Sequence, residues 1–534
     1  MSSLHIVNPK ADLLKKQAAL NMNINAAKGL QEVLKSNIGP KGTLKMLVSG
    51  SGQIKITKDG NVLLHEMQIQ HPTAMMIARA ATAQDDMVGD GTTSNVLFVG
   101  ELMKQSERYI SEGIHPSIIV DGIEIAKKQA LEYLEICRHK PEKIDREFLL
   151  SIARTSLKTK LSEEMANQLT EIVVDAVLTI KKESNIDLHM VEIMHMQHKL
   201  STETKLVKGL VMDHGGRHPE MPKKLEHCFI LNCNVSMEYE KTEVHSQFVY
   251  SNPQQKEMLV QSERKFTDDQ VRKVIELKRK VCEGTNKSFV VINQKGIDPV
   301  SLDMLAKEGI LGLRRAKKRN MERLILSCGG NAVHSFDDVT EKDLGFAESV
   351  YEQCLGEEKY TFVEGVENPF SCTILIKGPN EHTIAQVKDA IRDGLRAIKN
   401  TFDDQCVVPG AGAFELSCNS FLLDYARDHV EGKAVLGLQA FAEALLTIPK
   451  AITDNAGQDA QQAILTCIKK ARETKTPMGI DISNGESLNP ILTGIFDNYC
   501  VKKAFLNIGP VLVQQLLLVD EVMRAGKQMR RNDE

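Results

Sequence analysis

Residues 89–94 read Gly89-Asp90-Gly91-Thr92-Thr93-Ser94, and through residues 95–104 apolar side chains recur at three- and four-residue steps. Such a pattern suits a phosphate cradle. Glycines let the backbone come close to a polyanion, three hydroxyl side chains donate, and the first turn of a helix presents N–H groups with no partner of their own. Asp90 fits this setting only with a hard cation such as Mg²⁺ between its carboxylate and the phosphate oxygens. Taken alone, the same six residues also read as a turn and a helix cap. The sequence holds no Gly-x-x-x-x-Gly-Lys-Ser/Thr, and Gly50-Ser51-Gly52 and Gly410-Ala411-Gly412 lack the rest of a dinucleotide fingerprint. A nucleotide site here belongs to another class.

Several elements must bring this segment to other reactive groups. Residues 11–36 have the spacing of an amphipathic helix that stops at Gly39-Pro40-Lys41-Gly42. A short hairpin of residues 44–48 and 53–57 follows and delivers Lys58-Asp59-Gly60 at its end. A helix opens at Pro72 and reaches Gln84-Asp85 just before the cradle, and helical spacing continues to about Cys137. The middle of the chain changes character. Residues 228–235, 288–293 and 373–377 are short apolar β-like runs separated by helical segments such as 267–280, the pattern of an α/β module. Helical spacing returns at Glu381 and persists to Arg530, broken at 407–413 and 479–485. The expected layout is a helical domain drawn from both chain ends with an α/β insertion.

At 534 residues the chain is too long for one hydrophobic core, and two or three domains are expected. Lys plus Arg number 67 against 71 Asp plus Glu, a net charge of −4 that argues against binding nucleic acid or anionic membrane through bulk charge. The 11 cysteines contain no Cys-x-x-Cys pair and fit reduced cytosolic thiols better than a disulfide frame or zinc site. Residues 1–5 show no basic segment followed by an apolar one, and no apolar run approaches the length needed to cross a bilayer, so a soluble intracellular protein is expected. With no Trp and aromatics at 4%, Leu, Ile, Val, Ala and Met must fill the cores.

Residues 35–47 (Lys-Ser-Asn-Ile-Gly-Pro-Lys-Gly-Thr-Leu-Lys-Met-Leu), 56–64 (Ile-Thr-Lys-Asp-Gly-Asn-Val-Leu-Leu) and 84–92 (Gln-Asp-Asp-Met-Val-Gly-Asp-Gly-Thr) resemble, in order, the three signatures of the group II chaperonins. The resemblance spans essentially the whole chain and includes residues 213–219 (Asp-His-Gly-Gly-Arg-His-Pro), 293–298, 313–323 and 517–524. Residues 57–60, 408–413 and 497–503 narrow it to one subunit type of the eukaryotic cytosolic chaperonin. It implies a multidomain α and α/β, GroEL-like fold. A mainly helical equatorial ATP-binding domain would comprise residues 1–147 and 404–534, a small α/β intermediate hinge domain 148–214 and 369–403, and an α/β apical substrate-binding domain 215–368, with a helical protrusion at about 238–280. It also implies a cytosolic ATPase that couples binding and hydrolysis of Mg-ATP to the folding of non-native proteins such as actin and tubulin. The partners implied are seven paralogous subunits in a double ring of eight-membered rings, with no membrane and no specific nucleic acid.

Carried onto this chain, the resemblance places Gly39 and Pro40 along the nucleotide, Asp90 on Mg²⁺, and Gly91, Thr92, Thr93 and Ser94 on the phosphates. Asp59 stands on the metal or water side. Asp393 lies upstream of Gly410 at the offset of the family's hydrolytic aspartate, while Asp389, one turn earlier, shares its helix face; spacing alone does not choose between them. Thr159 and Lys160 resemble the loop that senses the γ-phosphate, and Gly410, Ala411, Asp481 and Asp497 resemble the wall around ribose and base. Three positions depart from the family pattern: Ala411 replaces Gly, Lys58 replaces Asn and Asn498 replaces Pro. A methyl at Ala411 narrows the approach to the nucleotide, and Lys58 is expected to sit beside Asp59 and compete there with the metal. The alternative expectation is therefore a ring member that binds nucleotide with weak or no hydrolysis.

Two further features invite other chemistry. His65 and His71 have the wrong spacing for a zincin, and His189, His195 and His198 make a metal site only if the fold gathers them. The run Arg314-Arg315-Ala316-Lys317-Lys318-Arg319 resembles a nucleic-acid patch, though a solvated basic loop is the plainer reading. Residues 254–260 and 271–281 are amphipathic stretches expected to build the protrusion.

Overall fold

The helix that follows the Gly-Asp-Gly turn, Thr92–Ser111, is apolar on most of its surface, with Val96, Leu97, Phe98, Val99, Leu102 and Met103 all buried. Phe98 meets Phe441 edge-on at 5.2 Å and Phe505 at 4.8 Å between ring centres, contacts worth about 1 kcal/mol beyond area burial. The helices Gln17–Lys35, Pro72–Val88, Ala434–Leu445 and Tyr499–Leu517 pack around it. The cradle is thus mounted on the most buried helix of its unit.

The computed structural model describes residues 12–182, 186–197, 199–238, 252–355, 358–366 and 370–524. Contacts divide the chain into two units, one from its two ends, up to Val174 and from Ala385 on, and one from Asp175–Ile384. Both unit boundaries fall inside the segments 148–214 and 369–403 that the resemblance assigns to a hinge domain.

In the first unit the ends of the described chain pair with each other, Asp12–Lys15 running antiparallel to Glu521–Arg524. The first helix therefore starts at Gln17 instead of residue 11, because residues 12–15 satisfy their backbone groups in a ladder. The last described helix ends at Leu517, followed by that strand, and the helical spacing read as far as Arg530 lies in part outside the described residues. The hairpin forms as expected, Lys45–Val48 against Ile54–Thr57. Residues 434–455 correct the membrane expectation, since this 22-residue stretch holds 18 consecutive residues with a mean hydropathy of 1.4 and so has the length and composition of a span. Here they form two consecutive helices, Ala434–Leu445 and Thr447–Asn455, with Leu438, Phe441, Leu445 and Ala451 in the core.

The second unit is α/β. Its seven-stranded sheet runs Gly209–Met212, Glu358–Val366, Gly345–Leu355, Lys224–Cys233, Ser288–Asn293 and Leu311–Leu313 in spatial order, with Ala332–Val333 paired to Lys224–Cys233. The strands Lys224–Cys233 and Ser288–Asn293 are parallel and almost wholly apolar where they pair, as strands covered on both faces must be. Residues 253–282 form one continuous helix, Pro253–Cys282, where sequence spacing indicates two stretches. Residues 239–251 of the expected protrusion lie outside the described residues. A smaller sheet sets Cys372–Gly378 between Val191–Gln197 and Lys205–Val207. Arg323, fully buried beside it, donates to Ser371 Oγ and the Cys372 carbonyl, both at 2.8 Å, and pairs with Glu192 at 3.3 Å. Burial lowers this guanidinium to about 10 against the pull of Glu192.

Candidate functional site

The Pro72–Val88 helix ends because Gly89 turns left-handed at φ 82°, and Gly91 repeats the conformation at φ 90° to start the next helix. Both positions suit glycine on a second count. A Cβ at Gly91 would stand 2.4 Å from Gln84 Nε2, and one at Gly89 2.1 Å from Arg396 Cδ. Gln84 donates to the Asp90 carbonyl at 3.3 Å and accepts from Asn95 Nδ2 at 2.7 Å, holding the turn from behind. No side chain caps the Thr92–Ser111 helix, so its first N–H groups are left for a ligand. Asp90 accepts from the Gly91 N–H at 2.7 Å. Its carboxylate is open to the cavity but surrounded by protein elsewhere, and this burial raises its pKa against the pull of Lys160 and the Gly91 N–H.

This turn forms one wall of a cavity of about 570 Å³ in the first unit. Of the residues anticipated from sequence, Gly39, Pro40, Asp59, Asp90, Gly91, Thr92, Thr93, Ser94, Thr159, Lys160, Ala411, Asp481 and Asp497 line it. Asp393 and Gly410 stand behind the lining. Asp393 reaches the cavity through Lys160, whose ammonium donates to its Oδ2 and to Asp59 Oδ1 at 3.0 Å. Burial opposes charge on Lys160, but Asp393, Asp59 and Asp90 overcome it and hold the ammonium well above its ordinary pKa. Burial likewise pushes Asp393 well above the carboxylate range, with Asp59 and Asp90 adding to the effect and Lys160 opposing it. Three carboxylates thus surround one ammonium, a surplus of negative charge that suits a divalent cation. Asp389 feels Asp59 and Lys160 but pairs with Arg392 at 3.9 Å, whereas Asp393 is the one that Lys160 bonds, a distinction spacing did not make.

At the other end, Lys502 bridges Asp497 Oδ2 at 3.0 Å and Glu415 Oε1 at 2.5 Å. Glu415 is wholly buried, and the two carboxylates outweigh burial to keep Lys502 charged. Asp481 accepts from the Ser483 N–H at 2.9 Å, and Gly410 donates to the Ile495 carbonyl at 3.0 Å. Ala411 sits at φ 56°, left-handed for a residue with a Cβ, a conformation costing about 1 kcal/mol. Sequence reasoning missed Lys502 and Glu415. Their signal was a glutamate in the first turn of a buried helix, Ala413–His429.

Lys58 behaves differently from expectation. It turns away from Asp59 and donates to the carbonyls of Gly39 at 2.7 Å and Pro40 at 3.2 Å, stapling the loop. Burial and then Lys160 lower its pKa to about 8. Asn455 holds the same loop from the other side through the Lys35 and Ile38 carbonyls, both at 2.9 Å. Asn498, in place of the family's Pro, donates to the Ala397 carbonyl at 2.9 Å and so fastens the helix that carries Asp393.

The basic run of the second unit is neutralised within that unit. Arg314 and Arg315 face Glu238, Lys317 pairs with Asp213 at 2.5 Å, Lys318 faces Glu322, and Arg319 pairs with Glu192 at 3.1 Å. His198 lies outside the described residues, and among those described the one histidine and carboxylate group close enough for a metal is His218, Glu220 and Asp303. There His218 Nδ1 accepts from the Glu220 N–H at 3.4 Å and Lys307 holds Asp303 at 2.7 Å, a hydrogen-bonded ion-pair cluster.

Residues 30–527 match the TCP-1/cpn60 chaperonin family. The chain is 59% identical over 527 residues to the human T-complex protein 1 subunit zeta-2, covering 98% of this chain and 99% of that protein. It is 56% identical over 533 residues to the mouse T-complex protein 1 subunit zeta-2, covering 100% of both.

Proposed function

The chain belongs to the TCP-1/cpn60 chaperonin family, and we propose that its cavity binds and hydrolyses Mg-ATP to drive protein folding within a hetero-oligomeric ring. It is an ATP-dependent chaperone subunit, and the relatives' printed names mark them as subunits of T-complex protein 1. In our reading this chain takes one place among eight paralogues in each of two stacked cytosolic rings and folds clients such as actin and tubulin. The three-domain division, with an equatorial, a hinge and an apical part, belongs to the same proposal.

The observation that carries the nucleotide reading is the pairing of an uncapped helix N-terminus with a carboxylate-rich cluster in one cavity. The N–H groups and hydroxyls of Thr92, Thr93 and Ser94 bind phosphate oxygens, and the Gly39-Pro40 loop lies along the nucleotide. Asp90, with Asp59 nearby, is the site for a Mg²⁺ ion, which when bound neutralises phosphate charge and polarises the bond to be broken. Lys160 supplies a positive charge where charge develops on the transferring group. Asp393 accepts a proton from the attacking water as general base. Asp497, fixed by Lys502, accepts from sugar hydroxyls, with Gly410, Ala411 and Asp481 completing that wall.

One observation favours slow turnover. Lys160 bonds Asp59 Oδ1 and Asp393 Oδ2, so its ammonium competes with an attacking water for that acid. Asp393→Ala in this subunit alone should abolish its share of hydrolysis and leave nucleotide bound; unchanged turnover in the assembled particle would remove Asp393 from the role.

A further inference from the structure

The helix that carries Asp393, Glu381–Asp404, is fastened to the phosphate turn by two side chains that the roles above leave unused. Arg396, almost one turn after Asp393, donates from Nη1 to the backbone carbonyl of Asp85 at 2.8 Å and stands 3.8 Å from its carboxylate. Asn400, a further turn on, donates to the Val88 carbonyl at 2.7 Å. Both carbonyls belong to the last turn of the Pro72–Val88 helix: that of Asp85 also accepts from the Gly89 N–H at 2.7 Å, and that of Val88 lies where carbonyl groups run out of helical partners. The stem of Arg396 fills the notch at Gly89, where a Cβ would meet its Cδ at 2.1 Å and its Cβ at 2.9 Å. None of Gly89, Arg396 and Asn400 lines the cavity. The joint therefore lies behind the site and reaches a ligand only through what it holds.

We propose that Arg396 is a positioning residue for hydrolysis, locking the helix of Asp393 to the Gly89 turn so that the acid and the cradle move as one frame. The proposal rests on the reading of Asp393 as the hydrolytic acid. The Arg396 side chain is 41% exposed, so its ion pair with Asp85 contributes little. The carbonyl bond and the stem in the notch do the fixing. Asn61, in the helix Gly60–Glu66, donates to the Asp85 carboxylate at 2.5 Å, which ties the joint to the residues following Asp59. A shift of this helix moves Asp393 and Lys160 relative to Gly91–Ser94, and displacements of about 1 Å cost up to about a hundredfold in rate.

The test uses the assembled particle with substitutions in this subunit only, its share of turnover being the difference between wild-type and Asp393→Ala particles. Arg396→Met keeps the stem and removes the guanidinium. The share should fall roughly tenfold or more with nucleotide affinity unchanged, Arg396→Lys should recover part of it, and Arg396→Met should add nothing to Asp393→Ala. Full turnover in Arg396→Met beside a silent Asp393→Ala would overturn the proposal, as would an affinity loss as large as the rate loss. If Asp393→Ala itself changes nothing, the hydrolytic reading fails and amide hydrogen exchange decides the joint. Arg396→Met should then speed exchange at Gly89–Gly91 while the Thr92–Ser111 helix stays protected, and unchanged exchange there would overturn the joint too.

Discussion

At the cradle end of the cavity Lys160 stands among Asp59, Asp90 and Asp393; at the far end Lys502 stands between Asp497 and Glu415. Each lysine bridges two carboxylates, yet the first cluster has a third carboxylate open to the cavity, whereas in the second Glu415 is wholly buried and Asp497 alone is partly open. An unbalanced, accessible charge is poor for stability and good for binding a cation, which is the usual trade at a working site. A bridged and buried ion holds its neighbours in one arrangement. The contrast separates a lysine whose partners a ligand can reach from one anchored to a buried carboxylate.

The largest effect should come from breaking the first cluster at its open carboxylate. Asp90→Ala should weaken Mg-dependent nucleotide binding by roughly a hundredfold or more, as loss of a metal contact does, while raising the melting temperature of the nucleotide-free chain because like charges are removed. Binding that keeps its magnesium dependence would erase the distinction between the two ends. Next in size is Glu415→Ala, which leaves buried Lys502 with only Asp497 and should cost about 3 kcal/mol of stability. Chemical denaturation would read this, and adding Lys502→Met should restore most of the loss. If Glu415→Ala instead changes only nucleotide affinity, the far cluster is no scaffold.

The smallest effect sharpens the comparison through pH. Burial, with Asp59 adding to it, raises Asp85 behind the phosphate turn from 3.8 to about 6, against Lys160 and Arg396. A raised carboxyl contributes stability that is full below the unfolded value and lost as pH climbs through the folded one. Asp85→Asn should match the wild type in melting temperature near pH 3.8 and gain on it up to about pH 6, then run parallel. A constant difference across that window would show that Asp85 does not titrate there.

What was readable in the sequence was local. The Gly89 and Gly91 turn, the Thr92 helix start, the hairpin before Asp59 and the switch to β-runs after Cys228 each depend on neighbours within a few residues. The family resemblance carried Asp393 and Lys160 to the site. It could not say that they meet, because Lys160 finds Asp59 across 101 positions and Asp393 across 233. The same limit hid Lys502 with Glu415, and Arg396 in the notch of Gly89. Lys58 was misjudged for a related reason: the sequence places it next to Asp59, but successive residues at the end of a strand point to opposite sides, and its ammonium turns to the Gly39 carbonyl.

In the proposed mechanism Lys160 gives up Asp393 when nucleotide arrives. Cryo-electron microscopy of the assembled particle with Mg²⁺ and a slowly hydrolysed ATP analogue tests this most directly. We expect density along Gly39-Pro40 and Gly91–Ser94, an ion at Asp90, and Lys160 turned from Asp393 toward the terminal phosphate. A filled cavity with Lys160 still bridging Asp59 and Asp393, in a subunit that hydrolyses ATP, would contradict it.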